Sequence, residues 1–286
     1  TLSPTSSPGP SATATCGPAT WVQVRSRSTH PPAGDEFAAI SALSPDDIWA
    51  VGNYLNLNDP TARRTLVQHW NGRTWSVVAS PNVGTGHNYL TGVAAFAADD
   101  VWAVGYSGAS FAERTMTLHW DGTQWSVVPS PNLGVRRTQL EAVTAISAND
   151  VWAVGWYETN ERVETLALHW NGTQWSMVPT PNNGSFDNYL FDVSAVSTND
   201  IWAVGYSPTY ALTMHWDGTQ WSLAPNPTTD TTGSLHSVSA RASNDAWAVG
   251  YYYDGSGERT RVLHWDGVQW SIVPSPNFGA DDGVLN

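Results

Sequence analysis

Apolar and polar residues alternate along most of this chain in short runs, each closed by turn residues, and one such arrangement is written five times. Residues 89 to 132 show the unit: YLTGVAAFAADD, then VWAVGYS, a variable stretch, TMTLHWDG, and TQWSVVPSPN. Enrichment in Val, Trp, Leu and Thr over such lengths predicts a strand for each piece. The Asp-Gly pair between Trp120 and Trp125 is a two-residue hairpin signal. No segment carries apolar residues at spacings of three and four over a helical length. The chain therefore reads as all-β.

The WAVG tryptophans Trp49, Trp102, Trp152, Trp202 and Trp247 recur at intervals of 53, 50, 50 and 45 residues. Four antiparallel strands in about 50 residues is the size of one propeller blade. With its WAVG strand, His-Trp-[Asn/Asp]-Gly turn and Trp-Ser strand, the chain resembles the β-propeller class over nearly all of residues 21 to 286, in the general manner of WD-repeat proteins and five-bladed tachylectin-type lectins. Neither group's signature is reproduced. The resemblance implies a five-bladed β-propeller of four-stranded antiparallel blades at residues 36–80, 89–130, 139–180, 189–225 and 234–275, with strands a to d running outward from a central channel. A chain of 286 residues has room for two domains, but the repeat argues for one body.

Most of the repeated residues read as framework. His69, His119, His169, His215 and His264 precede the hairpin turn in separate units, too far apart to share a metal ion. A hydrogen bond to the repeated Asp47, Asp100, Asp150, Asp200 and Asp245 gives them a structural use instead. The 15 repeated tryptophans are packing groups first, each burying on the order of 200 Å².

Charge narrows the partners. The net charge is −13, and every basic residue is an arginine. Such a surface repels phosphate backbones, which argues against nucleic acid. No run of 18 apolar residues exists to span a bilayer as a helix. Residues 1–20 are uncharged and rich in Ser, Thr, Pro and Gly, the composition of a tail or linker. They resemble the mature end left after signal-peptide removal, which predicts an extracellular or cell-surface protein. Cys16, the single cysteine, lies in that tail and is a candidate interchain thiol. Sequons stand at Asn171 and Asn183.

Comparison between units separates the two faces of the expected ring. The a-b and c-d turns hardly change, whereas the b-c segments diverge completely, from NYLNLNDPTARRT to YYYDGSGERT. Their aromatics, Tyr54, Tyr106, Trp156, Tyr157, Tyr210 and Tyr253 among them, are candidate ligand-binding residues for a glycan or a partner protein's surface. Five-bladed propeller glycosidases place carboxylates at the channel mouth, and the matching strand starts here offer Glu141, Asp192 and His236 as candidate catalytic groups. Their positions within the strand start differ, and successive strand residues point to opposite sides, which argues against convergence and for a non-enzymatic protein. GxSxG, Walker A, HExxH and paired cysteines are all absent, and no cofactor is expected.

The N-terminal end carries one further signal. Thr20–Val24 (TWVQV) matches the outer strand TWSVV at Thr74–Val78, although the fifth unit already has its own outer strand at Trp270. This extra strand, 21–25, predicts either local packing or addition to another copy's sheet edge through Trp21, Val22 and Val24, a head-to-tail contact that builds filaments.

Overall fold

A computed structural model describes residues 34–55, 62–133, 136–228 and 232–276. The tail, Cys16 and the strand expected at 21–25 lie outside these residues. The described residues contain twenty strands and no helix. Unit 1 holds β1 (Glu36–Ser44), β2 (Asp47–Leu55), β3 (Arg63–Trp70) and β4 (Trp75–Val77). Unit 2 holds β5 (His87–Ala97), β6 (Asp100–Gly108), β7 (Arg114–Trp120) and β8 (Trp125–Val128). In unit 3 they are β9 (Thr138–Ser147), β10 (Asp150–Glu158), β11 (Val163–Trp170) and β12 (Trp175–Val178). Unit 4 comprises β13 (Tyr189–Ser197), β14 (Asp200–Ser207), β15 (Tyr210–Trp216) and β16 (Trp221–Leu223). Unit 5 comprises β17 (Gly233–Ala242), β18 (Asp245–Tyr253), β19 (Glu258–Trp265) and β20 (Trp270–Ile272).

Each unit is an antiparallel meander in chain order, and the inner strands β1, β5, β9, β13 and β17 pack side by side in that sequence. A bridge between Tyr206 and Ser234 joins units 4 and 5 into one eight-stranded sheet, so the sheets do not divide into five separate blades. At each c-d turn an Asn or Asp side chain accepts backbone N–H groups, as Asp121 does from Thr123 and Gln124, and the following glycine takes a positive φ that suits no side chain.

The core lies between units rather than within them. The WAVG tryptophan of one unit meets two tryptophans of the next: Trp102, 1% exposed, lies 4.9 Å from Trp170 and 5.2 Å from Trp175 between ring centroids, the latter edge-on. Its other face lies against His119, whose Nε2 is 2.8 Å from Asp100. All five units carry this His-Asp bond, at 2.8 to 3.0 Å. Four apolar clusters result, joining units 1–2, 2–3, 3–4 and 4–5.

No such cluster joins unit 5 to unit 1 among the described residues. Trp247 of unit 5 is 38% exposed where its four counterparts are buried. Ile40 of β1 is 66% exposed, while Val93, Val143, Val193 and Val238 at the same register are buried. Among the described residues the two ends of the array therefore present half-interfaces, and the five units do not form the clean set of five separate four-stranded blades that was expected.

One backbone detail positions the channel. Every inner strand carries a β-bulge opposite the WAVG glycine, as where Leu140 pairs with Gly155 and Ala142 with Val154 while Glu141 is skipped. A Cβ on Gly155 would fall on the Gln139 carbonyl oxygen, and the same holds at Gly52, Gly105, Gly205 and Gly250. Glycine is thus what admits the bulge.

Candidate functional site at the channel mouth

The five bulges aim two residues per unit at a common cavity of about 500 Å³. The skipped residues supply Ala38, Thr91, Glu141, Phe191 and His236, and their neighbours supply Ala39, Gly92, Ala142, Asp192 and Ser237. Glu141, Asp192 and His236 therefore line one cavity. This corrects the alternation argument: a bulge sets two residues against one, so adjacent positions both face the channel.

Glu141 is the most perturbed of the three. Burial pushes its carboxyl up to about 7, opposed by the Trp156 indole, whose Nε1 donates to Oε1 at 2.8 Å. Burial thus favours the protonated acid over a range in which an exposed glutamate is ionised. Asp192 is also raised by burial, against three donors that favour its charge: Ser237 Oγ at 2.9 Å, Val238 N at 2.8 Å and Val193 N at 2.9 Å. Two of those donors belong to unit 5, so Asp192 ties units 4 and 5 together. Burial lowers the pKa of His236, which favours the neutral imidazole. Thr91 makes a comparable tie between units 2 and 3, donating to Leu140 O at 2.8 Å.

The aromatic candidates separate into three environments. Trp156 is not on a loop; it lies in β10 opposite Thr165, 6% exposed, with the Arg137 guanidinium 5.2 Å from its ring. It supports the site from behind and cannot offer an open stacking face. Tyr106, near the end of β6, belongs to the channel mouth: burial, then the Glu141 charge, push its hydroxyl up to about 12. Tyr54 and Tyr157 line separate outer grooves beside β4 and β12, Tyr157 donating to Glu164 at 2.6 Å. Tyr210 packs on the core between units 3 and 4, and Tyr253 donates to Glu258 at 2.5 Å at the end of β18. All six lie within strands, because the b and c strands pair beyond the WAVG segment.

Sequence comparison of the variable segments missed the rings on the inner strands. Tyr189 lies edge-on to Trp156 at 5.4 Å and parallel to Phe191 at 6.1 Å. Phe191 stacks on His236 at 5.2 Å, and His236 lies 5.5 Å from Tyr251. Tyr206 flanks Tyr189, and Tyr89 pairs with Tyr106 at 4.9 Å in unit 2. Along units 3 to 5 this makes a continuous row of rings at the rim of a polar cavity. The available signal was the aromatic pair flanking Leu190 in YLF at the start of β13.

Among the described residues no group of three or more His, Cys, Asp or Glu side chains is placed to hold a metal ion. Nor is there, among the described residues, a helix long and apolar enough to cross a membrane.

An antiparallel four-stranded sheet repeated around a shared cavity is the architecture of a β-propeller, and solved structures agree. No protein-family model matches the chain, and no curated protein matches it. The chain is similar to YCF48 bound to D1 peptide, at 14% identity and a TM-score of 0.53, covering 88% of this chain and 74% of that one. It is also similar to a fungal lectin from Aleuria aurantia, described as a six-bladed β-propeller with a novel fucose recognition mode, at 10% identity, a TM-score of 0.52, and coverage of 84% and 78%. A polysaccharide lyase of the ulvan lyase family bound to its sugar gives 11% identity, a TM-score of 0.49, and coverage of 81% and 64%. The chain is a β-propeller with no subfamily assigned.

Proposed function

We propose that this propeller of five blade units is an extracellular, non-enzymatic binding module that takes carbohydrate at the channel mouth. The row Tyr189, Phe191, His236 and Tyr251, backed by the buried Trp156, carries the reading, because it borders a cavity whose walls offer Thr91, Glu141, Asp192 and Ser237. A pyranose needs that pairing: a flat ring for its C–H face, and donors and acceptors for its hydroxyl edge. The similarity to the fucose-recognising fungal lectin lends support at the level of fold. Hydrolysis would need one carboxylate to protonate the leaving group and a second to act as base or nucleophile. Asp192 is engaged by three donors between two units, a structural use that competes with that role.

A glycan array tests the reading. Binding that is lost in Tyr189→Ala and Phe191→Ala but retained in Tyr157→Phe supports it, and a wild-type protein that captures no glycan removes it. A self-assembling scaffold is the second reading, motivated by Trp21, Val22 and Val24 outside the described residues. Light scattering separates it from the first, since glycan capture requires no oligomer.

A further inference from the structure

We infer, resting on the carbohydrate reading above, that the sugar taken at the channel mouth carries a free amine, bound as an ammonium group against Glu141 with its ring over Phe191. Charge in the cavity wall is one-sided. Glu141 and Asp192 line it, no arginine does, and the chain holds no lysine. Burial favours the neutral form of His236, whose Nε2 has no hydrogen-bond partner among the described residues. Arg137 is engaged elsewhere: its Nε donates to Glu158 at 2.8 Å, and its guanidinium sits 5.2 Å from the Trp156 ring. None of the ion pairs among the described residues includes Glu141 or Asp192. A uronate or sulfated sugar would add a like charge to this wall, whereas an ammonium group supplies the opposite one.

The fold makes different demands on the two acids. Asp192 already accepts from Ser237, Val238 and Val193. Glu141 accepts from the Trp156 indole on Oε1, and no described residue donates to Oε2. The framework does not require an acid at this bulge, because the same position is Ala38, Thr91, Phe191 and His236 in the other units. A carboxyl kept where burial opposes its charge, at a position filled by Ala or Thr elsewhere, is explained by a ligand cation. Phe191 and His236, stacked at 5.2 Å, line the same cavity, with Tyr189 and Tyr251 beside them. A ring face attracts a cation through its quadrupole, so an aminated pyranose gains more there than a neutral one.

Proton linkage gives the arrangement a signature. An ammonium group selects the ionised form of Glu141, which burial disfavours below about 7. Binding therefore drives a proton off Glu141, and affinity rises with pH through that value while the amine stays protonated. Of the groups around it, Tyr106 is held neutral, its hydroxyl pushed up to about 12, and Arg137 stays charged. Protonation of Asp192 or His236 at lower pH disfavours a cation in the same direction.

Isothermal titration calorimetry at pH 5 and pH 7 tests this, with a glucosamine trisaccharide, its N-acetylated counterpart and the unsubstituted glucose trisaccharide. At pH 7 the aminated sugar is expected to bind about tenfold or more tightly than either neutral one. At pH 5 it should weaken by about tenfold or more, as coupling to a carboxyl titrating near 7 requires, and between those values its binding heat should vary with the buffer because protons are released. Glu141→Gln should abolish both the amine preference and the proton release, and Tyr157→Phe should change neither. Equal binding of the three sugars, or amine binding unchanged in Glu141→Gln, overturns the inference and leaves the carbohydrate reading standing. A lysine amide bound as tightly as the aminated sugar also overturns it, since the ammonium group alone then suffices. Failure of every sugar to bind removes the carbohydrate reading and this inference with it.

Discussion

Replacing Glu141 by Gln keeps the shape of a side chain at the channel wall and removes its proton equilibrium. In the folded protein burial raises this carboxyl from 4.5 to about 7. The native state therefore holds a proton that the unfolded state has released between those two values, and the contribution of Glu141 to stability falls as pH rises through that window. Below the window it costs nothing; above about 7 the full cost is present, on the order of 3 kcal/mol at roughly 1.4 kcal/mol per tenfold change in proton affinity. That figure is an upper value, since the side chain keeps some contact with the channel. Urea denaturation of wild type and Glu141→Gln at pH 4 and pH 8 measures it. The variant is expected to match the wild type at the lower pH and to be more stable by a few kcal/mol at the higher one. A stability difference that is the same at both pH values would refute a desolvated carboxyl at this position.

Three further outcomes follow from the same geometry. Gly155→Ala places a methyl group on the Gln139 carbonyl and should cost about 1–3 kcal/mol in chemical denaturation, the range for overpacking; a neutral result would remove the glycine's role in admitting the bulge. Asp192→Asn weakens a carboxylate bonded to Ser237, Val238 and Val193, and a loss of about 1–3 kcal/mol is expected at neutral pH, read by thermal or urea unfolding. Trp156→Phe keeps an aromatic ring but deletes the donor to Glu141, so the carboxyl pKa followed by NMR titration should move above its wild-type value of about 7.

The repeat made the framework legible. Period, turn chemistry and strand order follow from WAVG, His-Trp-Asx-Gly and Trp-Ser, and the five His-Asp bonds sit where those residues recur. The site was legible only in fragments. Glu141, Asp192 and His236 were visible as polar residues at strand starts, but their convergence depends on a bulge that a strict two-residue period hides. Trp156 looked like an exposed ring on a variable segment, yet continued pairing of β10 with β11 buries it. Trp247 and Trp202 share a motif and differ in exposure, because what buries such a residue is the following unit rather than its own. A local pattern does not encode whether a neighbour stands beside it.

The indole N–H resonances of the tryptophans give the most direct test that binding is centred on the channel mouth. On titration with the glycan selected by the array, the Trp156 signal should shift progressively, because its N–H reports on Glu141 and its ring touches Tyr189. The signals of Trp49, Trp102 and Trp202, buried between units, should stay in place. Shifts confined to the outer-strand tryptophans Trp125, Trp175 and Trp221, with Trp156 unmoved, would place the ligand on the outer grooves and contradict the account.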